Sequence, residues 1–156
     1  MSRIREQIKF HEGEVKNAND MHVIYKDHLG YETVGYGHLI LETDPENGLQ
    51  VGTPISDERI NELFEEDLAV CTTELDKHLP FWKNLNDVRQ RCLIDLTFNL
   101  GMPRLRKFVK TLDHIENNRF EEASIELLDS RYAKQVGKRA ERIAEMLRTG
   151  EDSQDF

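Results

Sequence analysis

The chain has 156 residues, of which 38% are hydrophobic and 33% charged, and its formal net charge at pH 7 is −9. A chain of this length can bury about two-thirds of the surface it exposes when unfolded, so it needs neither a metal nor a disulfide to hold a core. Its apolar runs are far shorter than the ~20 residues that span a bilayer, and its acidic charge disfavours nucleic acid as a partner, so neither membrane insertion nor nucleic-acid binding is predicted.

The N-terminal residues indicate where the chain is synthesised, and the pattern around the cysteines indicates the state of their thiols. Residues 1–13 alternate charged with single apolar residues and lack the continuous apolar core of a secretory signal, which predicts synthesis in the cytosol. Cys71 and Cys92 lie on apolar helix stripes and outside any CxxC motif. Buried free thiols are therefore predicted, with a disulfide as the alternative.

The first part of the chain predicts one short helix followed by strands. Ile4, Ile8 and His11 recur at helical spacing, and Gly13 can end that helix near Glu12 in a left-handed turn. From about residue 21 to 41 the pattern is that of extended segments around a turn, and residues 42–54 collect loop formers. All of the strand signal lies in this region.

Everything after Ser56 has the pattern of helices. The apolar stripes predict a long helix at 57–77, a second from a cap at Asn86 to Gly101, and further helices at about 103–116, 119–129 and 138–148. The last six residues are expected to fray. The second predicted helix is apolar nearly all round in its later half, as in the centre of a bundle.

These elements predict a mostly helical α+β protein. The expected layout is a small N-terminal lobe at about 13–58, a connecting helix at 57–77, and an all-helical C-terminal lobe at about 78–150 on which the N-terminal helix 2–12 packs. A cleft between two such lobes is the natural place for a ligand.

Two carboxyl residues are candidates for chemistry. Glu12 falls in the last turn of a helix, where the negative end of the dipole disfavours ionisation, as suits a general acid. An exposed glutamate beside a helix-ending glycine is the alternative. Asp27 opens the run DHLG, which is typical of a type I turn, so it has a purely structural interpretation as well.

The strand after this turn carries an unusual pattern. The period of two places Tyr31, Thr33, Gly35 and Gly37 on one face, which is therefore mostly bare beyond Thr33. Glycines in a strand often mark a bulge or the close approach of backbone or ligand, so this face is predicted to admit a substrate.

Three further polar residues interrupt apolar patterns. His38 and Asp67 are predicted to bond to each other across the hairpin and the long helix, with a structural role favoured over a catalytic one. Asn99 lies in the nearly all-apolar helix, where a buried amide needs either backbone groups or a ligand as partners.

Five segments, in the same order along the chain, resemble the T-even bacteriophage lysozymes, the phage endolysin family of glycoside hydrolase family 24. They are HEG at 11–13, YKDHLGYETVGYGH at 25–38, ISDERINELFEEDL at 55–68, VRQRCLIDLTFNLG at 88–101 and GKRAERIAEMLRTG at 137–150. The resemblance extends from about residue 4 to residue 150. It implies a lysozyme-like fold and cleavage of the β-1,4 bond between N-acetylmuramic acid and N-acetylglucosamine in peptidoglycan.

The resemblance also implies roles for individual residues. The family's catalytic glutamate, aspartate and threonine fall on Glu12, Asp27 and Thr33, and a family arginine near that glutamate falls on Arg139. Tyr31, Gly35, His38, Asn99 and Arg139 are expected to contact substrate, and His38 with Asp67 matches a structural ion pair of the family.

The implied reaction uses Glu12 as the acid, with Asp27 and Thr33 holding the attacking water, and inverts the anomeric carbon. Retention with Asp27 as the nucleophile is the mechanistic alternative, and a catalytically silent peptidoglycan-binding or virion structural protein is the functional one. No cofactor and no metal are expected. The expected protein is a monomer made in the cytoplasm of a phage-infected host, released with the help of a holin, and acting on the peptidoglycan of the periplasm or cell wall.

One departure from the family bears on the site. The segment between Glu12 and Asp27 is several residues longer than in the T-even enzymes, with EVKNANDMH as the expected insertion. A bulge at the start of the hairpin would keep Asp27 in place, whereas a shift of register would turn it to the other face of the sheet. The bulge is favoured because the residues downstream still match.

Overall fold

The computed structural model describes residues 3–156, and over that range it contains eight α-helices, one 3-10 helix and a small sheet. The helices are α1 (Ile4–Glu12), α2 (Asp57–His78), the 3-10 helix (Pro80–Asn84), α3 (Asp87–Leu100), α4 (Met102–Leu105), α5 (Val109–Glu116), α6 (Phe120–Leu128), α7 (Arg131–Val136) and α8 (Lys138–Thr149). The strands are β1 (Tyr25–Lys26), β2 (Glu32–Val34) and β3 (His38–Leu39). The predicted α+β class is confirmed.

The helices depart from the predicted ones in three places. The single helix expected at 103–116 is two, because residues 107 and 108 bond to carbonyls three residues back and thereby close α4 with a tight turn. The 3-10 helix and α7 were missed. Helix α7 begins at the cap Ser130, whose hydroxyl accepts from the Ala133 N–H, but Tyr132 is its one fully buried side chain, which is too weak a stripe to read from sequence.

By their internal contacts, the described residues form two compact units, one of residues 8–69 and one of residues 3–7 and 70–156. Within residues 8–69 the antiparallel sheet has the order β1-β2-β3, with Tyr25 opposite Thr33 and Val34 opposite His38. Its apolar core consists of Ile24, Val34, Ile55, Ile60 and Leu63. The lobe boundaries expected from the sequence stay a prediction.

Residues 14–22, the segment expected to be an insertion, form a small closed loop ahead of the sheet. Lys16 pairs with His22 in an isolated antiparallel bridge, and the Asn17 side chain accepts from the backbone N–H groups of Asn19 and Met21. Loop residues 17–21 therefore turn back on themselves before the chain enters β1. The β1–β2 register starts immediately afterwards, at Tyr25 and Lys26.

The larger unit is helical around α3. Six consecutive residues of α3, from Cys92 to Thr97, are buried, and α8 packs against α3, α6 and α7. Cys71 and Cys92 are buried free thiols, as predicted, and burial raises the pKa of the Cys92 thiol. No helix in the described part of the chain is long and apolar enough to cross a bilayer.

The C-terminal tail is not frayed, contrary to expectation. Asp152 accepts hydrogen bonds from Arg3 at 2.6 Å and from Arg91 at 2.9 Å, and the Arg91 side chain is only 1% exposed. The Phe156 ring lies 5.2 Å from the Arg3 guanidinium, and Asp155 pairs with Arg142 at 2.6 Å. A buried cation needs such partners, and acidic residues of the tail supply them.

Replacing Asp152 by Asn is expected to lower the free energy of unfolding by about 2–3 kcal/mol, because it withdraws a carboxylate from a buried guanidinium. Urea denaturation of the two proteins measures the difference. Asp155→Asn is the matched control, because its carboxylate is 55% exposed and an exposed pair contributes about 0–1 kcal/mol. Equal effects of the two substitutions would contradict the anchoring role of Asp152.

Candidate active site

Glu12 is the last residue of helix α1. Gly13, at φ 67°, donates its N–H to the Lys9 carbonyl at 3.0 Å and ends the helix in the left-handed turn predicted for it. The half-buried Glu12 carboxyl group then lies against Gly37, where an added Cβ atom would come within 2.4 Å of Glu12 Oε1. Glycine at position 37 is therefore what allows the carboxyl group to occupy this place.

Asp27 occupies the turn between β1 and β2. Its carbonyl accepts from the Gly30 N–H at 2.9 Å, which is the β-turn predicted there. Its side-chain Oδ1 accepts from the backbone N–H groups of Leu29 and Tyr31, both at 2.9 Å. The carboxylate is thus held by one oxygen, and Oδ2 is the oxygen that these backbone bonds leave for other partners.

Thr33 is connected to Asp27 through a shared acceptor. The Thr33 hydroxyl donates to the Tyr31 carbonyl at 2.9 Å, and the same carbonyl accepts the Asp27 N–H at 2.9 Å. Thr33 is only 2% exposed. Because its hydroxyl proton is committed, the oxygen of this side chain can act toward a neighbouring group only as an acceptor.

Tyr25 lies close to both candidate carboxyl groups. The pKa of its phenol is raised, first by burial and then by the negative charges of Glu12 and Asp27. Both carboxyl groups belong to the unit of residues 8–69, and each acts on this phenol. Tyr25 was missed from the sequence, although Thr33 is its cross-strand partner.

The bare strand face predicted beyond Thr33 does not form. Strand β2 ends at Val34, and residues 35–37 turn with positive φ at Gly35 and Gly37. A side chain at Gly35 would meet Ile60 at 3.2 Å, so the space next to Gly35 belongs to the core. Only its backbone remains for a substrate contact, whereas Tyr31 is 60% exposed and can contact a ligand with its ring.

His38 binds two carboxylates. Its Nδ1 lies 2.8 Å from Asp67 and its Nε2 lies 2.8 Å from Asp44, so neither ring nitrogen is left for the substrate contact expected of it. Burial lowers the pKa of His38, but the bonds to Asp67 and Asp44 outweigh burial and raise it to about 9. Asp44 was missed because it lies in a loop rich in turn residues. Such a loop has no apolar pattern in which a carboxylate would stand out.

The two ion pairs of His38, with Asp67 and Asp44, predict that the free energy of unfolding depends on pH. A pKa raised from 6.5 to about 9 stabilises the folded state by about 3 kcal/mol below pH 6.5, and the contribution is lost as the pH rises through 9. The difference in unfolding free energy between the wild type and His38→Gln should therefore shrink by about that amount between about pH 6 and about pH 10. Urea titrations at the two pH values measure it, and a constant difference would contradict a charged His38.

Arg139 and Asn99 belong to the unit of residues 3–7 and 70–156. The Arg139 guanidinium binds Asp95 Oδ1 at 2.6 Å, and Asp95 Oδ2 accepts from the Gln7 amide at 2.8 Å. Asp95 and Gln7 are fully buried, and Arg139 is 8% exposed. The Asn99 Oδ1 atom is buried, and none of residues 3–156 gives it a hydrogen bond.

The fold and the site define a class of protein. A half-buried glutamate at a helix end and an aspartate at a β-turn, both of which act on one tyrosine, are residue types that a glycoside hydrolase uses on either side of the scissile bond. A mostly helical protein with a small three-stranded sheet carries this pair.

Comparisons with known proteins agree with that class. Residues 19–147 match the family model described as phage lysozyme, a range that contains Asp27 and Thr33 and begins after Glu12. The chain is 28% identical to probable T4-type lysozyme 1 of Dictyostelium discoideum, with 96% of both chains covered. It is 30% identical to the pre-baseplate central spike protein Gp5 of Enterobacteria phage T4, over 81% of this chain and 25% of that protein.

A further relative is the peptidoglycan hydrolase gp36 of Enterobacteria phage SP6, 31% identical over 74% of this chain and 13% of that protein. The chain belongs to the phage lysozyme family. Its class is therefore that of the peptidoglycan-degrading glycoside hydrolases. The relatives include proteins of Dictyostelium as well as of phages.

Proposed function

We propose that this protein is a muramidase that cleaves the β-1,4 bond between N-acetylmuramic acid and N-acetylglucosamine. The observation that supports this most is the match of residues 19–147 to the phage lysozyme family. Within that range two backbone N–H groups fix Asp27 Oδ1. The charges of Asp27 and Glu12 both act on the half-buried phenol of Tyr25. A pair of carboxyl groups can flank a glycosidic bond, with one giving a proton and the other remaining ionised.

Glu12 is assigned the general acid. It donates its proton to the glycosidic oxygen as the bond breaks, which removes the need to expel a charged alkoxide from the sugar. Its carboxyl group lies so close to Gly37 that a side chain there would displace it. A fixed acid is worth more than a mobile one, because an error of about 1 Å can cost 100-fold in rate.

Asp27 and Thr33 are assigned to the attacking water. Two backbone N–H groups hold Asp27 Oδ1, which leaves Oδ2 to accept a proton from water. The Thr33 hydroxyl gives its own proton to the Tyr31 carbonyl, so its oxygen can accept the other water proton. Together the two acceptors would orient the lone pair of the water toward the anomeric carbon.

This assignment predicts inversion, since the water attacks from the face opposite the leaving oxygen. The alternative, with Asp27 as the nucleophile, forms a covalent intermediate and retains the β configuration. Proton NMR of a chitooligosaccharide or glycan digest, recorded before mutarotation is complete, distinguishes the two. An α anomer as the first product supports water held by Asp27 and Thr33, whereas a β anomer overturns that assignment.

The experiment that tests the proposed function identifies the bond that is cut. Purified, peptidase-free peptidoglycan is digested, and the new reducing ends are reduced with borohydride and hydrolysed to amino sugar alcohols. A muramidase yields muramitol, because it leaves N-acetylmuramic acid at the reducing end. Glucosaminitol would indicate a glucosaminidase. The absence of both sugar alcohols would contradict a glycosidase of either kind.

The biological role proposed is host lysis or wall penetration by a phage, acting on the periplasmic or cell-wall peptidoglycan after synthesis in the host cytoplasm. The relatives named a central spike protein and a peptidoglycan hydrolase are both phage proteins. Release by a holin and action as a monomer are parts of the same proposal.

The net charge of −9 opposes the approach of the protein to an anionic wall. The rate of wall cleavage should therefore increase as added salt screens that repulsion.

A further inference from the structure

The unit that contains Glu12 and Asp27 also contains a compact group of one cation and three rings, here called the aromatic clamp: Lys9, His22, Tyr36 and Phe64. The Lys9 ammonium nitrogen lies 5.1 Å from the centre of the Tyr36 ring and 5.2 Å from that of Phe64. The Tyr36 ring packs at 5.3 Å against Phe64 and edge-on at 5.5 Å against His22. All four residues belong to the unit of residues 8–69.

The clamp joins the two backbone segments that meet at Glu12. Lys9 is one helical turn before the end of α1, and its carbonyl accepts the Gly13 N–H that closes this helix. Tyr36 directly precedes Gly37, where an added Cβ atom would lie 2.4 Å from Glu12 Oε1. A shift of the Tyr36 ring would therefore move Gly37, and a loss of the Lys9 contact would release the last turn of α1.

The partners of Tyr36 are themselves buried. Phe64 and His22 are each only 4% exposed, and the chain on either side of His22 is tied through its carbonyl to the Ile55 N–H. An ammonium group within about 6 Å of a ring centre is attracted to the face of that ring, and Lys9 meets this condition at two rings. The clamp thus has a buried side, formed by Phe64 and His22, against which Tyr36 packs.

We propose that Lys9 and Tyr36 are positioning residues, which set the location of the Glu12 carboxyl group by holding the end of α1 against the turn at Gly37. The inference rests on the proposed role of Glu12 as the acid. It assigns a function in the reaction to two residues that need not touch the substrate.

Steady-state kinetics on a soluble glycan substrate test the proposal. Tyr36→Leu removes the ring and Lys9→Met removes the charge, and each is expected to lower kcat about 10- to 100-fold while KM stays within about twofold, because the acid is displaced but the sugar contacts are not. Tyr36→Phe and Lys9→Arg, which keep the ring and the charge, should restore most of kcat. An unchanged kcat in Tyr36→Leu and Lys9→Met, or a rise confined to KM, would overturn the proposal.

A second measurement does not depend on activity. In protein labelled with ¹³C at the glutamate carboxyl carbon, the Glu12 resonance is identified by its loss in Glu12→Gln. It should move in Tyr36→Leu and stay in place in Tyr36→Phe if the clamp positions this group. Should Tyr36→Leu fail to fold, Lys9→Met still tests the clamp through kcat. An inactive wild type whose Glu12 resonance still responds to Tyr36→Leu would refute the proposed function but not the clamp.

Discussion

Glu12→Gln is expected to lower the rate of peptidoglycan cleavage by about 100- to 10,000-fold, the range that a positioned general acid contributes. Glutamine has nearly the same shape and can still lie against Gly37, but it has no proton to give to the glycosidic oxygen. The release of muramic acid reducing ends from purified peptidoglycan measures the change. KM should change little, because the substitution removes an interaction made in the transition state.

Glu42→Gln is the matched control. It also neutralises an exposed-loop carboxyl group in the same unit, and its activity should stay within about twofold of the wild type. Equal, measurable activity in the wild type and Glu12→Gln would remove Glu12 from the mechanism. An inactive wild type that still sediments with insoluble peptidoglycan would instead favour the catalytically silent binding protein.

Gly37→Ala is expected to reduce activity by about 100-fold, because its new methyl group would come within 2.4 Å of Glu12 Oε1. Either the Glu12 carboxyl group or the turn at residues 35–37 must move. An alanine at φ 80° also costs about 1–2 kcal/mol of stability, so activity and unfolding have to be measured together.

Gly48→Ala separates these two effects. Gly48 has a similar positive φ of 92°, but a Cβ atom there meets nothing within 4 Å. It should therefore lose about as much stability as Gly37→Ala while keeping its activity. Comparable activity losses in the two variants would mean that backbone strain, and not the contact with Glu12, explains the effect of Gly37→Ala.

Local patterns predicted the parts of the fold that depend on neighbouring residues. Gly13 ends α1, Asn86 caps α3 with its side chain on the Arg89 N–H, and Asp27 forms its β-turn, because each signal acts within a few residues. The period of 3.6 was sufficient for α2 and α3, whose apolar stripes are long. It was not sufficient for α7, where a single fully buried residue provides no stripe.

The candidate site also has parts that the sequence indicated and parts that only the structure revealed. The resemblance to phage lysozymes singled out Glu12, Asp27 and Thr33, and their roles stay predictions. The contact of Glu12 with Gly37, the position of Tyr25 next to two carboxylates, and the second carboxylate on His38 could not be predicted, because each joins residues from different elements. Alternation along a strand even suggested the wrong arrangement for Gly35 and Gly37, since period two holds only while the strand continues.

By itself, the sequence determined the class of the fold and most of the helices, because propensity, capping and apolar periodicity are properties of short stretches of chain. Its five motifs, by their resemblance to phage lysozymes, indicated the family. Only the tertiary structure decided which polar groups meet. The acidic tail is the plainest example: Asp152 has no local signal, and it is held because folding brings it to the buried cation of Arg91, 61 residues away in the chain. Contacts of that kind depend on packing geometry in three dimensions, which no local pattern encodes.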